Sequence, residues 1–414
     1  MQNSDELKHI IFLRNAQGVA HIWGGLEKLM LEWFERIDYS RCKVTLGIAK
    51  GWKDSFDENL RAKHIPVEVI ALPFDLQKGS FPTRFLKLFF FLKKLRPSSI
   101  VFMQGQLFCF DFAHTLAGFL AASGDIYMHE NLGPPIPPAK VSRRYFGFIP
   151  GIGMWWYIEK YSALLRAYIS KKIVVVSKEI EERLISLWHY PPGKIVVQYH
   201  GVDLQQYRPS AEIRFKIRAA LKISAEETVI IVTARLSQVK CIHRTIEAFD
   251  ALSRQFPNLR LLIAGSGPLE NELQGLAKSK PCAEKIMFLG HVRKASDYLK
   301  AADIHVMSSD NEGLSLAFLE ALATGLVCVS TKCPGPNEIL QDGINGFIVE
   351  KSTAGVLEGL KKTVQLSPPD RRVISQNAVE YIRKNFEINN RVHDTLECLG
   401  IPQVLKFKKG AGKL

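Results

Sequence analysis

Ile304-His305-Val306-Met307-Ser308-Ser309-Asp310-Asn311-Glu312-Gly313-Leu314-Ser315-Leu316-Ala317-Phe318-Leu319-Glu320-Ala321-Leu322-Ala323-Thr324-Gly325-Leu326-Val327-Cys328-Val329-Ser330 reads as strand, loop, helix and strand. Residues 304–308 and 327–330 are short runs dominated by apolar residues, as parallel strands buried on both faces require. Between them a helix opens near Ser315, a suitable N-cap, and stops at Gly325, a suitable residue for the left-handed position after a helix. A strand, a crossover helix and a second strand make one βαβ unit of a doubly wound sheet.

The same alternation extends in both directions. Strand-like runs fall at 9–13, 43–48, 66–72, 99–103, 125–129, 173–177 and 195–199, and again at 228–234, 260–264, 286–289, 304–308, 327–330 and 346–349. A polar stretch, 203–228, separates the two series and holds Arg208-Pro209-Ser210 and a helix-like run over 211–221. One hydrophobic core seldom serves more than about 250–300 residues, and the chain has 414. The expectation is α/β architecture in two Rossmann-like domains, 1–203 and 204–398, followed by a basic flexible tail, 399–414.

Composition narrows the class. With 47% apolar and 23% charged residues the chain is neither disordered nor fibrous. The net charge of +14 is spread along both halves without a long run of one sign. A diffuse positive field suits phosphorylated substrates, an anionic membrane or nucleic acid, and charge alone does not choose among them. The seven cysteines form no Cys-x-x-Cys pair and no zinc-spaced cluster, which suits reduced thiols in the cytoplasm. The first eight residues, Met1 to Lys8, are too polar for a signal peptide. The longest apolar stretch, 100–120, is interrupted by Asp111 and His114 and falls short of a membrane span.

Parallel α/β sheets bind ligands beyond the carboxyl ends of their strands. At one such end, the loop 308–315 runs into a helix N-terminus whose free N–H groups make an anion site. Glu312 before the helix and Glu320 within it set two carboxylates at two depths of one cleft, an arrangement suited to a hydroxyl-bearing ligand. The spacing equally allows Glu320 to pair with a neighbouring base and Glu312 to be solvated.

Glu312-x7-Glu320, with Gly313 and the small and apolar residues that follow, resembles the signature of the family-4 retaining glycosyltransferases of GT-B fold. The resemblance implies that Glu312 contacts the hydroxyls of a donor hexose and that Glu320 binds the ribose of its nucleotide. It gives the amides of Gly313, Leu314, Ser315 and Leu316 the sugar and phosphate. Val232-Thr233-Ala234-Arg235-Leu236, followed by Lys240, is similar to the family's Gly-Arg-Leu…Lys-Gly element. A guanidinium and an ammonium delivered from one strand end can neutralise a leaving diphosphate. Ala234 and Cys241 stand where glycine is usual and His243 where aspartate is common, so a less open phosphate loop is expected. The stretch 261–269, with Gly265 and Gly267, resembles the family's Gly-x-Gly-Pro element. The stretch 288–292 resembles the backbone, at His291 and Val292, that meets the nucleotide base. Residues 333–340 and 342–347 match two further elements.

The first half agrees more loosely. His21-Ile22-Trp23-Gly24-Gly25-Leu26-Glu27-Lys28 resembles the glycine pair, here Gly24 and Gly25, that lets backbone approach the donor phosphate and the acceptor. Tyr127-Met128-His129-Glu130-Asn131 resembles the His-Glu element, which gives His129 the donor sugar. Residues 175–178 and 200–203 match later landmarks, with His200 where asparagine is usual.

The resemblance implies a retaining transfer of a hexose from a nucleotide diphosphate sugar, UDP by preference, to a glycan acceptor. His129, Glu312, Arg235 and Lys240 would carry the chemistry. No Asp-x-Asp pair stands where a metal would be needed, so no metal and no cofactor beyond the co-substrate is expected. Residues 82–97 form a helix between prolines with a core face of Phe85, Phe89, Leu92 and Leu88 or Leu95. Phe90 and Phe91 fall outside that face, near Arg84, Lys87 and Lys94, which suits either an anionic membrane surface or an ordinary solvated helix. Residues 133–156, rich in proline and aromatics, suit a lipid-linked acceptor. A nucleotide-sugar epimerase or phosphorylase of the same fold and a degenerate scaffold remain as rivals. The spread of the charge and the donor motifs argue against nucleic acid.

Overall fold

The computed structural model describes residues 7–14, 25–72, 80–104, 112–130, 161 and 163–404. Gly24 and the segment 133–156 lie outside the described residues. The chain forms two units, the first built from residues up to Tyr199 together with those from Val392 onward, the second from His200–Arg391.

In the first unit β1 (Lys8–Arg14), β2 (Cys42–Ala49), β3 (Glu68–Leu72), β4 (Ser99–Gln104), β5 (Ile126–Glu130), β6 (Lys172–Val175) and β7 (Ile195–Val197) make one sheet. Its order is β3-β2-β1-β4-β5-β6-β7, and every pairing is parallel. The helices are α1 (Gly25–Phe34), α2 (Lys53–Ala62), α3 (Phe81–Leu95), α4 (Phe112–Ala121), α5 (163–169) and α6 (Lys178–Ser186). Ile11, Leu13, Ile100, Phe102 and Ile126 pack from the sheet onto Leu88 and Leu92 of α3 and Ala117 of α4.

The second unit repeats the plan. Its strands are β8 (Thr228–Thr233), β9 (Leu259–Ala264), β10 (Ile286–Gly290), β11 (Ile304–Met307), β12 (Val327–Thr331) and β13 (Phe347–Val349). They lie in the order β10-β9-β8-β11-β12-β13, again all parallel. The helices are α7 (Ala211–Ala220), α8 (Ile242–Ser253), α9 (Glu270–Lys278), α10 (Ala295–Ala301), α11 (Leu316–Ala323), α12 (Pro334–Ile339), α13 (Thr353–Gln365) and α14 (Pro368–Asn385). A last helix, α15 (Ile388–Cys398), begins in the second unit and ends in the first. In both sheets the strand order reverses once, at β1/β4 and at β8/β11, which marks where each sheet binds ligands.

The units divide at Tyr199/His200 where the sequence suggested 203/204. The reason is a parallel bridge: Val202 N–H donates to Phe386 O at 2.8 Å and Ile388 N–H to Val202 O at 3.2 Å. Gly201 is pressed there, since a Cβ would lie 2.4 Å from Ile388 Cα. The tail expected over 399–414 is also corrected for its described part. Leu399 and Ile401 are buried, Gln403 bridges Ile37, and Pro402 O accepts from Asp38 N at 3.0 Å. Residues 392–404 thus close the first unit. On α3, Phe90 is exposed as expected, but Phe91 packs against the core beside Phe85, Phe89 and Leu95.

Candidate active site

The loops leaving β8 and β11 flank the reversal point of the second sheet. After β8 the chain carries Arg235, whose exposed guanidinium has no side-chain partner among the described residues. A short 3-10 turn, Gln238–Lys240, then brings Lys240 round to Glu312 on the loop after β11. Lys240 Nζ donates to Glu312 Oε1, and Ser309 Oγ donates to the same oxygen at 2.8 Å. The Glu312 residue is only 5% exposed. A carboxyl group so deep needs polar partners, and the Lys240 ammonium and the Ser309 hydroxyl supply them.

The two loops are laced together around that pair. Asp310 N–H donates to Val239 O at 2.8 Å, and Ser308 Oγ lies 3.1 Å from Lys240 O and 3.0 Å from Cys241 O. Arg244 Nη1 donates to Asp310 Oδ1 at 2.6 Å. Cys241 adopts φ 47° and ψ 41°, the left-handed region that favours glycine. Its Sγ donates to Asp310 Oδ2 at 3.1 Å. The loop therefore keeps the left-handed turn that a glycine would make, and a local side-chain bond secures it. Burial, then the bond to Asp310, pushes the Cys241 thiol up to about 11. Burial alone would raise the Asp310 carboxyl, but the thiol bond and the bond and charge of Arg244 hold it below its ordinary value.

Gly265 and Gly267 support this loop from below. A Cβ on Gly265, whose φ is +147°, would lie 1.8 Å from Ala234 O, and one on Gly267 would lie 2.4 Å from Leu236 O. Leu236 N–H in turn donates to Ser266 O at 3.0 Å. Both glycines admit close approach of protein backbone, which fixes the strand end that carries Arg235. Ala234 keeps a negative φ, so a methyl group costs nothing there. On the other side, a Cβ on Gly335 would lie 1.8 Å from Gly313 O. Gly335 of α12 thus presses on the peptide that follows Glu312.

Ser315 occupies the N-cap of α11, its carbonyl accepting from Phe318 and Leu319 N–H at 3.1 Å each. Its hydroxyl makes no capping bond. The first-turn amides near Gly313, Leu314 and Leu316 are therefore not claimed by it, and the positive end of the helix lies at the carboxyl edge of its own sheet. At the far end Gly325 has φ +82°, Gly325 N–H bonds Leu322 O at 3.0 Å and Leu326 N–H bonds Ala321 O at 3.2 Å, a Schellman cap. Glu320 is buried on α11, one residue beyond Leu319. His291 and Val292 follow β10 directly, after Gly290 at φ +63°. Arg235, Lys240, Glu312, the loop from Gly313 to Leu316, His291 and Val292 all belong to loops at the carboxyl edge of this sheet.

The first unit is described by itself. Gly25 opens α1 after β1, and His129 is the last but one residue of β5. The buried His129 ring meets Trp33 of α1 edge-on, with centroids 5.2 Å apart. Sequence reasoning missed Arg14, the last residue of β1, whose Nε and Nη2 donate to Glu27 Oε1 at 3.1 and 2.8 Å. That buried pair ties the first turn of α1 to the strand end. It was readable only as an unusual charge at the end of an apolar strand. Among the described residues no group of three or more His, Cys, Asp or Glu is placed to hold a metal ion.

Two all-parallel sheets, each with a strand order that reverses once, together with a cationic loop and a Glu-bearing helix N-terminus at one reversal point, define the GT-B fold of the glycosyltransferases. Residues 213–381 of this chain match the model of the family Glycosyl transferases group 1. The chain is similar to the alpha-monoglucosyldiacylglycerol synthase of Acholeplasma laidlawii, with 30% identity over 43% of this chain and 46% of that protein. It is also similar to the UDP-Gal:alpha-D-GlcNAc-diphosphoundecaprenol alpha-1,3-galactosyltransferase of Escherichia coli, with 26% identity over 60% of this chain and 64% of that protein. The chain thus spans about half to two thirds of the length of these relatives. Its fold matches Anabaena HepE in complex with UDP and glucose, with TM-score 0.74 and 20% identity, over 95% of this chain and 99% of that one.

Proposed function

We propose that the chain is a retaining glycosyltransferase that moves a hexose from a UDP-sugar to a glycan acceptor carried on a lipid. The observation that carries this reading is the Lys240–Glu312 ion pair at the reversal point of one sheet, its lysine on the same loop that carries the exposed Arg235. Glycosyl transfer develops negative charge on the leaving diphosphate. Fixed cations and a helix N-terminus aimed at that charge are commonly the largest catalytic contribution. Arg235 and Lys240 take the diphosphate, and the loop from Gly313 to Leu316 offers its amides. Glu312 grips hexose hydroxyls, Glu320 the ribose, and His129 of the first unit the sugar. Two side-chain cations carry the electrostatic role without a metal. The retained left-handed turn at Cys241 favours a working phosphate loop over a degenerate scaffold.

The preference for UDP draws on the UDP held by HepE. The lipid-borne acceptor draws on the relatives, one named as a synthase of a glucosyldiacylglycerol and one as acting on a sugar-diphosphoundecaprenol. No described helix is long and apolar enough to cross a membrane. A peripheral site on an anionic membrane, at its cytoplasmic face, is supported by α3, where Phe90 is 65% exposed beside exposed Leu86, Lys87, Lys93 and Lys94. Phe119 and Leu120 of the neighbouring α4 are exposed as well.

The test is a thermal-stability titration of the full chain with UDP, GDP and their common sugar conjugates. A ligand at a hundredfold excess over its Kd stabilises the folded state by about 2.7 kcal/mol. A shift with the UDP series that is lost in Arg235→Ala and Glu320→Ala supports the reading. Folded protein that responds to neither series refutes it.

A further inference from the structure

Resting on the transferase reading above, we infer that Glu130, Arg166 and Tyr190 in the first unit form an acceptor subsite for a neutral, hydroxyl-bearing sugar ring. Three observations carry it. Arg166 of α5 is 3% exposed, yet its Nε and Nη1 have no hydrogen-bond partner among the described residues. Buried guanidinium donors are seldom left unmade, so such a group points to a ligand. Glu130 and Tyr190, both buried, are its neighbours: the charges of Glu130 and Arg166 act on each other, and Arg166 bonds the Tyr190 phenol.

The third observation is position. Glu130 is the last residue of β5, at the carboxyl edge where parallel sheets take ligands. Side chains alternate along a strand, so Glu130 shares a face with Ile126, and His129 points to the other. Ile126 belongs to the core that α3 and α4 cover, and Ile169, one helical turn beyond Arg166, packs on that core too. Arg166 and Glu130 therefore meet under α5, one residue along the strand from the histidine assigned to the donor sugar.

The chemistry selects the ligand. A phosphate at Arg166 would also face the Glu130 carboxylate at a site with little water to screen it. Burial pushes that carboxyl up and the charge of Arg166 pulls it back, a balance an added anion would upset. A sugar hydroxyl suits both partners, since it donates its hydrogen to the carboxylate and accepts from the guanidinium. The pair is thus a neutral reader of hydroxyls on the sugar that receives the new bond, distinct from the cationic loop of Arg235 and Lys240.

The test uses the full chain, as wild type, Arg166→Met, Arg166→Lys and Glu130→Gln. Each is titrated with octyl glycosides of glucose, galactose and N-acetylglucosamine, with inorganic phosphate and, separately, with UDP. The expected result is that a glycoside bound by the wild type loses at least tenfold in affinity in Arg166→Met and Glu130→Gln. UDP affinity, which reports the donor site, stays within twofold in every variant, and Arg166→Lys recovers part of the loss. Glycoside affinities that do not change across the variants overturn the inference. So does phosphate that binds the wild type and is lost in Arg166→Met. Because UDP is followed in the same samples, loss of UDP binding in the wild type would instead indict the transferase reading itself.

Discussion

Lys240 and Glu312 form a largely buried ion pair between the loops that leave β8 and β11, the two strands on either side of the reversal point of their sheet. Removing one partner strands the other. Lys240→Met leaves a Glu312 carboxylate buried without its cation, at an expected cost of about 3 kcal/mol. The double variant Lys240→Met/Glu312→Gln recovers most of that stability but no transferase activity. Urea denaturation read beside activity separates the two effects.

Arg235 makes the opposite case. Its side chain is exposed and bonds nothing among the described residues, so Arg235→Ala changes stability by less than about 0.5 kcal/mol. Transfer, however, falls by about a hundredfold or more, because a donor aimed at developing charge is lost. Equal melting midpoints with a collapsed kcat/KM are the expected readout.

Cys241 pays in backbone strain for a side chain at φ 47°. Cys241→Gly removes strain of about 1 kcal/mol, offset in part by the lost bond to Asp310. The variant is expected to be at least as stable as the parent and fully active. Cys241→Val, branched at Cβ in the same conformation, is expected to be clearly destabilised. Chemical denaturation midpoints decide it.

Gly335→Ala places a methyl group where Gly313 O now lies, 1.8 Å away. The peptide after Glu312 must shift, so nucleotide-sugar affinity drops by tenfold or more while the secondary structure survives. Calorimetric titration with UDP, together with circular dichroism, checks both halves of that statement.

Acid is expected to destabilise the chain through two buried histidines. Burial lowers His200 to about 4 and His305 to about 3 from an ordinary 6.5. Between those values and 6.5 the unfolded chain binds protons that the folded one refuses. Stability is therefore complete above 6.5 and declines as pH falls, by about 1.4 kcal/mol per pH unit for each histidine. Glu130, raised by burial, works in the opposite sense as its carboxyl titrates, so the comparison with His305→Gln is the decisive one. That variant loses the His305 share of the slope in urea titrations at neutral pH and at about pH 5.

Much of the fold was legible because its strands are buried on both faces. Each run of Val, Ile and Leu in the sequence has its strand within about two residues, and Gly325 ends its helix in the left-handed conformation expected of it. What depended on distant partners was not legible. The Lys240–Glu312 pair joins residues 72 positions apart, and nothing near either announces the other. The missing glycine at Cys241 suggested a closed loop, because sequence does not show that a thiol can be held left-handed by a carboxylate on the next loop. Phe91 was assigned outward from one helix face, but α4 widens the buried arc of α3. The close of the first unit by Leu399 and Ile401 was hidden by the lysines that follow them.

That closing segment also sets an order of assembly. The sheet of the first unit is complete in the chain by Val197, but the residues that bury Ile37 and pair with Asp38 are made only after the whole second unit. During synthesis the second unit can finish folding while the first still waits for its last piece. A chain that stopped just after Arg391 would leave the earlier-made unit, not the later one, incomplete.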